Sequence, residues 1–399
     1  MKHYDYLIVG SGLYGATFAY CAAQAGHSCL VIDRRPHLGG NVYCEDIEGI
    51  NVHRYGPHIF HTSDKRVWQF VTSIVEFNNF INTPLAKYQG RVYNLPFNMN
   101  TFYQMWGVPI PDLAMLIIDR QRKEALADMK TDKPSNLEEQ ALLLVGRDIY
   151  ETLIKGYTEK QWGRPCTKLP ADIIRRLPVR FTFDNNYFRD PYQGIPVGGY
   201  NTLIKRLLKH AVTLTDADFF ADRAYWESRA DRIVYTGPLD QYFDYSEGRL
   251  AWRSVRFEDE IIDTPNHQGV AIVNYTDRDI PYTRIVEHKH FQTVGNAIFD
   301  NPRTVITREY PCEYPSILPS PSFSLITGAV SAVPSSLPPD PFYPINDHRN
   351  NALADRYRDL ALQERNVIFG GRLADYRYYD MDNVIAKVLS VCPTVLPLG

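Results

Sequence analysis

Three patterns in the 399-residue sequence predict an α/β fold with an inserted helical domain and an antiparallel β-sheet lobe. Residues 6–33 have the pattern of a strand, a glycine-rich turn, a helix and a second strand. Residues 98–178 have mostly helical spacing, and alternating apolar segments recur between residues 251 and 307. Helices between strands favour a parallel sheet, whereas short alternating segments favour an antiparallel sheet. The first pattern is therefore typical of a Rossmann-like domain, to which the other two are added.

The opening unit has the glycine spacing that dinucleotide-binding domains use around a pyrophosphate. Tyr6–Val9 predicts a buried strand, and Gly10, Gly12 and Gly15 follow it as GxGxxG. These glycines permit the turn, the close approach of the pyrophosphate and the packing of the next helix. Asp33 closes the next predicted strand, eighteen residues after Gly15, where the acceptor of a ribose hydroxyl is expected. The alternative is that the glycines serve only a tight strand-to-helix turn.

Two further glycine pairs favour FAD over a nicotinamide nucleotide. Residues 34–41 (RRPHLGGN) place the first pair directly behind the acid, and a second bare stretch of backbone suits a cofactor with a large ring system. Residues 366–372 (NVIFGGR) combine a buried strand, two glycines and Arg372 near the end of the chain. Such a turn can present N–H groups and a cation to a diphosphate or a flavin. The alternative is a plain strand-to-helix corner with a solvated Arg372.

The changes of pattern along the chain predict three domains. The proline-rich segment 311–344 excludes a regular helix or a central strand, so we expect a surface loop there. The predicted domains are a discontinuous FAD-binding Rossmann-like domain (1–80, 194–236 and 345–399), a helical domain with a mobile substrate loop at about 165–178 (98–178), and an antiparallel sheet domain (81–97, 179–193 and 237–344).

The composition of the chain limits the classes of partner that we expect it to bind. The chain is 44% hydrophobic and 22% charged, with a formal net charge of −3, so there is no basic field that would indicate nucleic-acid binding. The six cysteines lack metal-ligand spacing, which predicts reduced thiols, no metal site and a cytoplasmic location. No apolar stretch has the length of a membrane span.

Motifs along nearly the whole chain resemble those of UDP-galactopyranose mutase of the bacterial type. This family of flavoenzymes interconverts UDP-galactopyranose and UDP-galactofuranose, which is used for cell-surface polysaccharide. The sequence departs from the family pattern at Cys312–Pro341, which is longer and richer in proline. The motifs that carry the resemblance are GSGLYG (10–15), LGGN (38–41), YGPHIFHT (55–62), YNLPFNMNTF (93–102), KGYTEKQWGR (155–164), RRLPVRF (175–181), DNNYF (184–188), NYTD (274–277), YTRIVEHKHF (282–291), FYPIN (342–346) and GGRLADYRYYDM (370–381).

The resemblance implies two sets of binding residues. The set for FAD is Gly10, Gly12, Leu13, Tyr14, Gly15, Asp33, Arg34, Gly39, Gly40, Asn41, His58, Ile59, His61, Phe219, Arg372, Asp380 and Met381. The set for the UDP-sugar is Asn82, Tyr157, Trp162, Arg176, Tyr187, Asn274, Arg284, Tyr343 and Tyr378.

Arg176 and Arg284 are the predicted catalytic residues. The resemblance places Arg176 on a mobile loop that closes over the site and Arg284 opposite it. Guanidinium groups make charge-assisted, bidentate contacts with a diphosphate. From the residues alone, Arg176 can equally be a solvated charge beside Arg175, and Arg284 an outward residue on a strand.

Two aromatic residues of KGYTEKQWG are predicted to line the substrate pocket. In the family the tyrosine at Tyr157 stacks on uracil, and the tryptophan at Trp162 lies near the loop and the sugar. These residues are five apart and would not share a face of one continuous helix, so we expect a break near Glu159. The alternative is that both rings pack in the core.

Three residues near the predicted flavin have competing interpretations. Asp380 stands at the start of the last predicted helix, where it can equally be an N-cap. His58 and His61 resemble flavin-proximal residues of the family, and the alternative is a hydrogen-bonded structural role.

The resemblance also implies the mechanism. N5 of reduced FAD attacks the anomeric carbon, UDP leaves, and a flavin–sugar iminium intermediate recloses through another hydroxyl. Covalent catalysis by the cofactor requires FAD to be reduced, by NAD(P)H or another external reductant. The resemblance further implies a homodimer. Two rival functions are a flavin-dependent oxidoreductase of the amine-oxidase-like class and a non-catalytic protein that binds FAD and UDP.

Overall fold

The computed structural model describes residues 2–129, 133–174, 178–292, 295–314 and 340–396. Two predictions fall outside these ranges. Arg176 lies in the gap 175–177, and most of the proline-rich segment lies in the gap 315–339. The predicted mobile loop is therefore described only up to residue 174 and from residue 178 onwards.

Sixteen strands run through the described ranges. In chain order they are β1 (Tyr4–Val9), β2 (Cys29–Ile32), β3 (Cys44–Ile47), β4 (Ile50–His53), β5 (Phe60–Thr62), β6 (Leu85–Tyr88), β7 (Arg91–Asn94), β8 (Tyr192–Gly194), β9 (Val212–Leu214), β10 (Ala230–Tyr235), β11 (Trp252–Ile262), β12 (Ile272–Tyr275), β13 (Arg284–Glu287), β14 (Thr304–Glu313), β15 (Tyr343–Pro344) and β16 (Val367–Phe369).

Twelve α-helices occur in the same ranges. They are α1 (Leu13–Gln24), α2 (Lys65–Ile74), α3 (Met99–Trp106), α4 (Pro111–Asp128), α5 (Leu137–Val145), α6 (Arg147–Ile149), α7 (Lys155–Trp162), α8 (Tyr200–Leu207), α9 (Arg223–Glu227), α10 (Leu239–Tyr242), α11 (His348–Ala361) and α12 (Met381–Val395). A π-helical turn, Tyr150–Ile154, joins α6 to α7, and 3₁₀ turns occupy Gly40–Val42, Cys166–Lys168, Ala171–Ile173, His288–Phe291 and Ala297–Asp300. None of the described helices combines the length and the apolar character that crossing a bilayer requires.

The chain divides into two compact units. Unit 1 comprises Met1–Phe80, Asp190–Trp252 and Pro341–Gly399, and unit 2 comprises Ile81–Arg189 and Arg253–Asp340. The segments predicted to bind FAD lie in unit 1. The predicted helical domain and most of the predicted sheet domain lie together in unit 2, whereas residues 190–193, 237–252 and 341–344 of the predicted sheet domain lie in unit 1.

A parallel five-stranded sheet forms the centre of unit 1, with the order β16-β10-β1-β2-β9. Its strands come from the beginning, the middle and the end of the chain, so this domain is built from separate stretches of sequence. Leu7 and Ile8 of β1 are fully buried, because a parallel sheet is covered on both faces. The helix α1 follows the glycine-rich turn directly, and the chain turns after it at Gly26, which has a φ of 85°.

A mostly antiparallel sheet in unit 2 has the order β11-β14-β13-β12-β6-β7. Only β12 and β6 pair in parallel among these strands. The helices α3 to α7 build an apolar core against this sheet, with Phe102, Leu137 and Tyr150 completely buried. The fold class predicted from the sequence is thereby confirmed: a Rossmann-like domain, an inserted helical segment and an antiparallel sheet lobe.

Candidate functional site

The glycine-rich turn of unit 1 packs directly on the second glycine pair. A Cβ added to Gly40 would lie 2.9 Å from Cα of Gly12, and one added to Gly15 would lie 2.0 Å from the carbonyl oxygen of Gly10. Gly12 is the N-cap of α1 and supplies no side-chain cap. The first N–H groups of α1 are therefore open to an anion, which a helix N-terminus attracts.

The carboxylate of Asp33 ties the two glycine segments together. Its Oδ2 accepts hydrogen bonds from the Ser11 N–H at 2.9 Å and the Ser11 hydroxyl at 2.5 Å. The Ser11 hydroxyl in turn accepts from the N–H of Gly39 at 3.0 Å. Asp33 is only 7% exposed, and its Oδ1 accepts from the N–H of Arg35. The acid predicted to meet a ribose thus also shapes the turn that precedes α1.

The residues around Asp33 differ in their surroundings. Arg34 is exposed, whereas Asn41 accepts a hydrogen bond from Arg35 at 2.9 Å. Leu13 is buried at the start of α1. Phe219 is 2% exposed and packs edge-to-face on Phe220 within the aromatic core, so its ring faces the protein interior.

The closing glycine turn fits against the opening motif. Tyr14 is 3% exposed, and a Cβ added to Gly370 would lie 2.0 Å from Cζ of its ring. Within the described part of the chain, the buried Tyr14 hydroxyl has no hydrogen-bond partner. The GxGxxG motif and the NVIFGGR motif therefore form one continuous structure in unit 1.

Two histidines of the YGPHIFHT motif are fixed by different partners. His58 Nδ1 lies 2.7 Å from the carbonyl oxygen of Gly56. Burial, with a smaller effect of the Arg372 charge, lowers the pKa of His58 to about 4, so the ring is neutral at neutral pH. His61 Nδ1 lies 2.7 Å from Oδ2 of Asp190, and Ile59 between the two histidines is buried.

A cationic and aromatic cluster follows the closing glycine turn. Arg372 donates from Nη2 to the carbonyl oxygen of Tyr379 at 2.9 Å, and its guanidinium lies 5.1 Å from the centre of the Tyr378 ring. The rings of Tyr378 and Tyr343 are stacked, with centres 6.0 Å apart. The structure thus brings together Tyr343, Tyr378 and Arg372, and Tyr378 is 53% exposed.

Asp380 occupies the N-cap position of α12, directly before Met381, and its carboxylate accepts no capping hydrogen bond from the described part of the helix. The neighbouring Asp382 accepts a hydrogen bond from the Thr62 hydroxyl at 2.9 Å, and burial raises its pKa. Sequence reasoning did not identify Asp190 or Asp382, because their partners lie on β5, far away in the sequence.

The residues of unit 1 fit a dinucleotide with a flavin. The open N-terminus of α1 suits a diphosphate, and at Gly40 a Cβ would fill the space that bare backbone leaves beside Gly12. Arg372 adds a cation near the last glycine turn.

The candidate substrate site is a cavity of about 200 Å³ within unit 2. Four residues of the predicted UDP-sugar set lie on it: Tyr157, Trp162, Tyr187 and Asn274. The remaining lining residues are Leu95, Pro96, Phe97, Leu153, Ile154, Thr158, Gln161, Ile173, Ile174, Pro178 and Thr276. A mainly apolar wall with a few polar groups is usual for small-molecule sites.

The predicted helix break near Glu159 is wrong. The helix α7 runs unbroken from Lys155 to Trp162, although Tyr157 and Trp162 both line the cavity. Five residues turn a helix by roughly 140° beyond one full turn. Thr158 and Gln161 fill the arc between the two rings, so the cavity extends around this side of α7. Two long aromatic side chains can reach it without a break.

Arg284 lies beside this cavity rather than in bulk solvent. Its Nη2 donates to the Tyr157 hydroxyl at 2.7 Å, and its Nε lies 3.5 Å from a carboxylate oxygen of Glu309. Asn274, Arg284 and Glu309 are direct neighbours across β12, β13 and β14. Burial raises the pKa of Glu309, and the Arg284 charge opposes this effect. Glu309 was not identified from the sequence.

The cavity and the segment next to it contain further polar groups. Asn274 Oδ1 is buried and has no hydrogen-bond partner among the described residues, so it can accept one from a ligand. The N–H of Tyr187 donates to the carbonyl oxygen of the buried Asn82 at 2.8 Å. Arg180, to which we assigned no role, donates to the carbonyl oxygens of Asn186 and Tyr187 and so holds this segment.

Comparisons with known proteins agree with these features. The family model described as UDP-galactopyranose mutase matches residues 152–378, and the model described as an NAD(P)-binding Rossmann-like domain matches residues 8–74. The second match covers the end of β1, the glycine turn, α1 and the two histidines.

Two curated relatives match almost the full length. A probable UDP-galactopyranose mutase of Klebsiella pneumoniae is 36% identical over 402 residues, covering 99% of this chain and 96% of the relative. A dTDP-fucopyranose mutase of Escherichia coli is 35% identical over 393 residues, covering 96% of both chains. A crystal structure of reduced UDP-galactopyranose mutase has a TM-score of 0.73 at 15% identity, covering 99% of this chain and 96% of that one.

Proposed function

Because the chain belongs to the UDP-galactopyranose mutase family of flavin-dependent isomerases, we propose that it interconverts UDP-galactopyranose and UDP-galactofuranose with bound FAD. The observation that carries the proposal is the contact of Arg284 with Tyr157 at the cavity of unit 2. A nucleoside diphosphate offers a diphosphate for a cation to bind and a base for an aromatic ring to stack on. This contact places a fixed cation beside an aromatic ring.

The residues of unit 1 would hold the cofactor. The N–H groups after Gly12 would bind the FAD diphosphate, Asp33 would accept from the ribose, and Arg372 would lie toward the isoalloxazine. A bound, reduced flavin would supply a nucleophile for the anomeric carbon of the sugar. The remaining residues of the FAD set stay predictions.

The residues of unit 2 would bind and orient the nucleotide. Tyr157 offers its ring to uracil, while Arg284 offers its guanidinium to the diphosphate, whose charge increases as the bond to the sugar breaks. Asn274 Oδ1 accepts a hydrogen bond from the ligand. Trp162 and the aliphatic lining exclude water from the reacting centre. Arg176 remains a proposed second guanidinium on the closing loop.

The phenols of unit 1 would act as additional donors. Tyr343 and Tyr378 are stacked, and Tyr378 lies beside Arg372, which supports a shared role of these side chains in binding a phosphate group. Neither phenol needs to ionise for this role, because a neutral hydroxyl donates its hydrogen bond.

A second candidate substrate is a dTDP-linked sugar. The relative that is named dTDP-fucopyranose mutase is 35% identical, almost the same as the 36% of the UDP-galactopyranose relative. The cavity carries the aliphatic residues Leu95, Leu153 and Ile154, which can accept the 5-methyl group of thymine. An amine substrate is disfavoured, because Arg284 would repel a cation.

The test is chromatography of nucleotide sugars after incubation with the purified, FAD-loaded protein. With dithionite and UDP-galactofuranose we expect UDP-galactopyranose to form, and without reductant we expect none. Parallel reactions contain the dTDP-linked fucofuranose. Conversion of the dTDP-sugar alone would select the second candidate, and binding of FAD and UDP without any product would indicate a non-catalytic protein. Full conversion with oxidised flavin would contradict the proposed chemistry.

We also propose a cytoplasmic homodimer that takes electrons from NAD(P)H or another external reductant. All six cysteines are free thiols, which supports a reducing compartment. Anaerobic bleaching of the flavin absorbance by NADPH tests the reductant, and light scattering after gel filtration tests the dimer. No bleaching, or a monomer, would reject the respective part of the proposal.

A further inference from the structure

Lys160 is a partly buried cation of unit 2 that the proposed mechanism does not use. Its Nζ donates to three carbonyl oxygens, those of Tyr275 at 2.8 Å, Ile280 at 3.0 Å and Tyr282 at 2.9 Å. An ammonium group has three N–H donors, so the three contacts use its whole capacity.

The carbonyls of Ile280 and Tyr282 belong to the connection between β12 and β13, and Tyr275 is the last residue of β12. This connection joins Asn274, near the end of β12, to Arg284, the first residue of β13. Lys160 lies on α7, three residues after Tyr157. The side chain therefore links the helix that carries the aromatic wall of the cavity to the hairpin that carries the polar groups.

The helix and this connection approach each other closely. A Cβ added to Gly156 would lie 2.2 Å from the carbonyl oxygen of Thr276, so only glycine permits the observed distance. The Thr276 hydroxyl donates to the carbonyl oxygen of Thr152 at 2.8 Å. Lys160 lies one turn after Gly156 on the same face of α7 and adds its three hydrogen bonds to this contact. The position of the connection is thus set by three separate interactions.

A charge at this place is energetically expensive. Burial lowers the pKa of Lys160 to about 8, and the Asp277 charge opposes this shift. The Asp277 carboxylate accepts hydrogen bonds from the N–H of Gln89, and Glu159 lies 3.5 Å from Arg278. An apolar side chain of the same length would avoid the cost of desolvation, so packing alone does not account for a lysine here.

We propose that Lys160 is a positioning residue that holds the β12–β13 connection on α7, so that Asn274 and Arg284 are positioned beside Tyr157 before the nucleotide binds. The inference rests on the proposed function, since it assigns the cavity to the nucleotide part of the substrate. Lys160 itself does not touch the ligand in this account. It lowers the cost of ordering the hairpin when the diphosphate binds.

The test compares Lys160→Met with Lys155→Met in the FAD-loaded protein. Lys155 lies on the same helix and pairs with Glu151 at 2.9 Å on a more exposed side, which makes it a matched control. Calorimetry measures the dissociation constant of UDP, the flavin absorbance measures bound FAD, and thermal unfolding measures stability. For Lys160→Met we expect weaker UDP binding by about tenfold or more, because carbonyls are left without donors. Bound FAD should not change.

A double-mutant cycle separates positioning from a general loss of stability. If Lys160 acts through the Tyr157–Arg284 pair, Tyr157→Phe should weaken UDP binding less in the Lys160→Met background than in the wild-type background. Additive effects would overturn the inference. Lys160→Gln keeps two N–H donors and serves if Lys160→Met does not fold; we expect an intermediate affinity.

The outcomes distinguish the inference from the proposed function. Wild-type affinity for UDP in folded Lys160→Met or Lys160→Gln would overturn the positioning role and leave the proposed function intact. Absence of UDP binding in both the wild type and Lys155→Met would overturn the proposed function, and the inference with it.

Discussion

Arg284 donates a hydrogen bond from Nη2 to the hydroxyl of Tyr157 over 2.7 Å. The contact connects β13 to α7, two elements that are more than one hundred residues apart in the chain. The same guanidinium lies 3.5 Å from the buried Glu309, so it is held from two sides. Because its position is fixed before a ligand binds, the cation need not reorganise when a diphosphate arrives.

Replacing Arg284 should therefore impair catalysis more than folding. For Arg284→Ala we expect kcat/KM to fall by on the order of 3 kcal/mol or more in activation free energy, since a fixed charge at the leaving diphosphate is lost. Arg284→Lys should recover only part of the loss, because an ammonium lacks the planar fork. Steady-state kinetics with reduced enzyme measure both effects.

The control for this prediction is Arg256→Ala, on strand β11 of the same sheet. Arg256 pairs with Glu258 at a more exposed place and should leave kcat/KM unchanged. An Arg284→Ala enzyme with wild-type turnover at saturating substrate would refute the assigned role.

Gly370 should be essential for the cofactor domain because of Tyr14. A Cβ on Gly370 would lie 2.0 Å from the Tyr14 ring, which is buried and cannot swing into solvent. We expect Gly370→Ala to lower the melting temperature and the FAD content of the purified protein. The measurements are thermal unfolding and the ratio of flavin to protein absorbance.

The double variant Gly370→Ala with Tyr14→Leu tests the steric reason. A smaller side chain at position 14 makes room for the methyl group, so both quantities should recover relative to Gly370→Ala alone. If the second substitution only adds further damage, the contact between the two motifs is not the cause.

The opening and closing glycine motifs could be predicted because they depend on local spacing. Strand β1, the turn and α1 follow each other without interruption, and Gly15 has the steric role at the turn that the spacing implies. The alternating segments likewise predicted the antiparallel sheet, since each strand shows its own period of two.

The partners of the site residues could not be predicted in this way. Lys160 reaches carbonyls of a connection more than one hundred residues later, and Asp190 reaches His61 across a similar distance. Such contacts depend on strand register and on helix packing, which no local pattern encodes. The prediction of a break in α7 was wrong for a related reason. Helical spacing gives the direction of each side chain around the helix axis, but it does not give the distance that an aromatic side chain spans.

Asp33 should support FAD binding through Ser11. In Asp33→Asn, an amide NH₂ replaces one carboxylate oxygen, so at least one of the donors from Ser11 or Arg35 loses its acceptor. We expect the dissociation constant of FAD to rise by about tenfold, because the turn before α1 loses its anchor. Reconstitution of the apoprotein with FAD, followed by fluorescence, measures it.

Asp5→Asn is the matched control for Asp33→Asn. At the other end of β1, Asp5 accepts from the N–H of Ser28 at 2.6 Å and from its hydroxyl at 2.7 Å. The chemistry is the same, but no glycine turn is involved. This variant should lose some stability and keep its FAD affinity. Equal losses of affinity in both variants would mean that Asp33 acts only on the general stability of the sheet.

His58 should make unit 1 sensitive to mild acid. Burial lowers the pKa of His58 from 6.5 to about 4. Between these values the unfolded chain binds a proton that the folded chain does not bind, so stability is complete above pH 6.5 and is lost as the pH falls toward 4. The full loss is on the order of 3 kcal/mol of unfolding free energy.

The difference in melting temperature between wild type and His58→Gln should therefore shrink or change sign as the pH falls. His3→Gln, at an exposed histidine near Asp231, is the control for removing a histidine from the same unit. Parallel curves for wild type and His58→Gln would show that His58 is not the group that titrates.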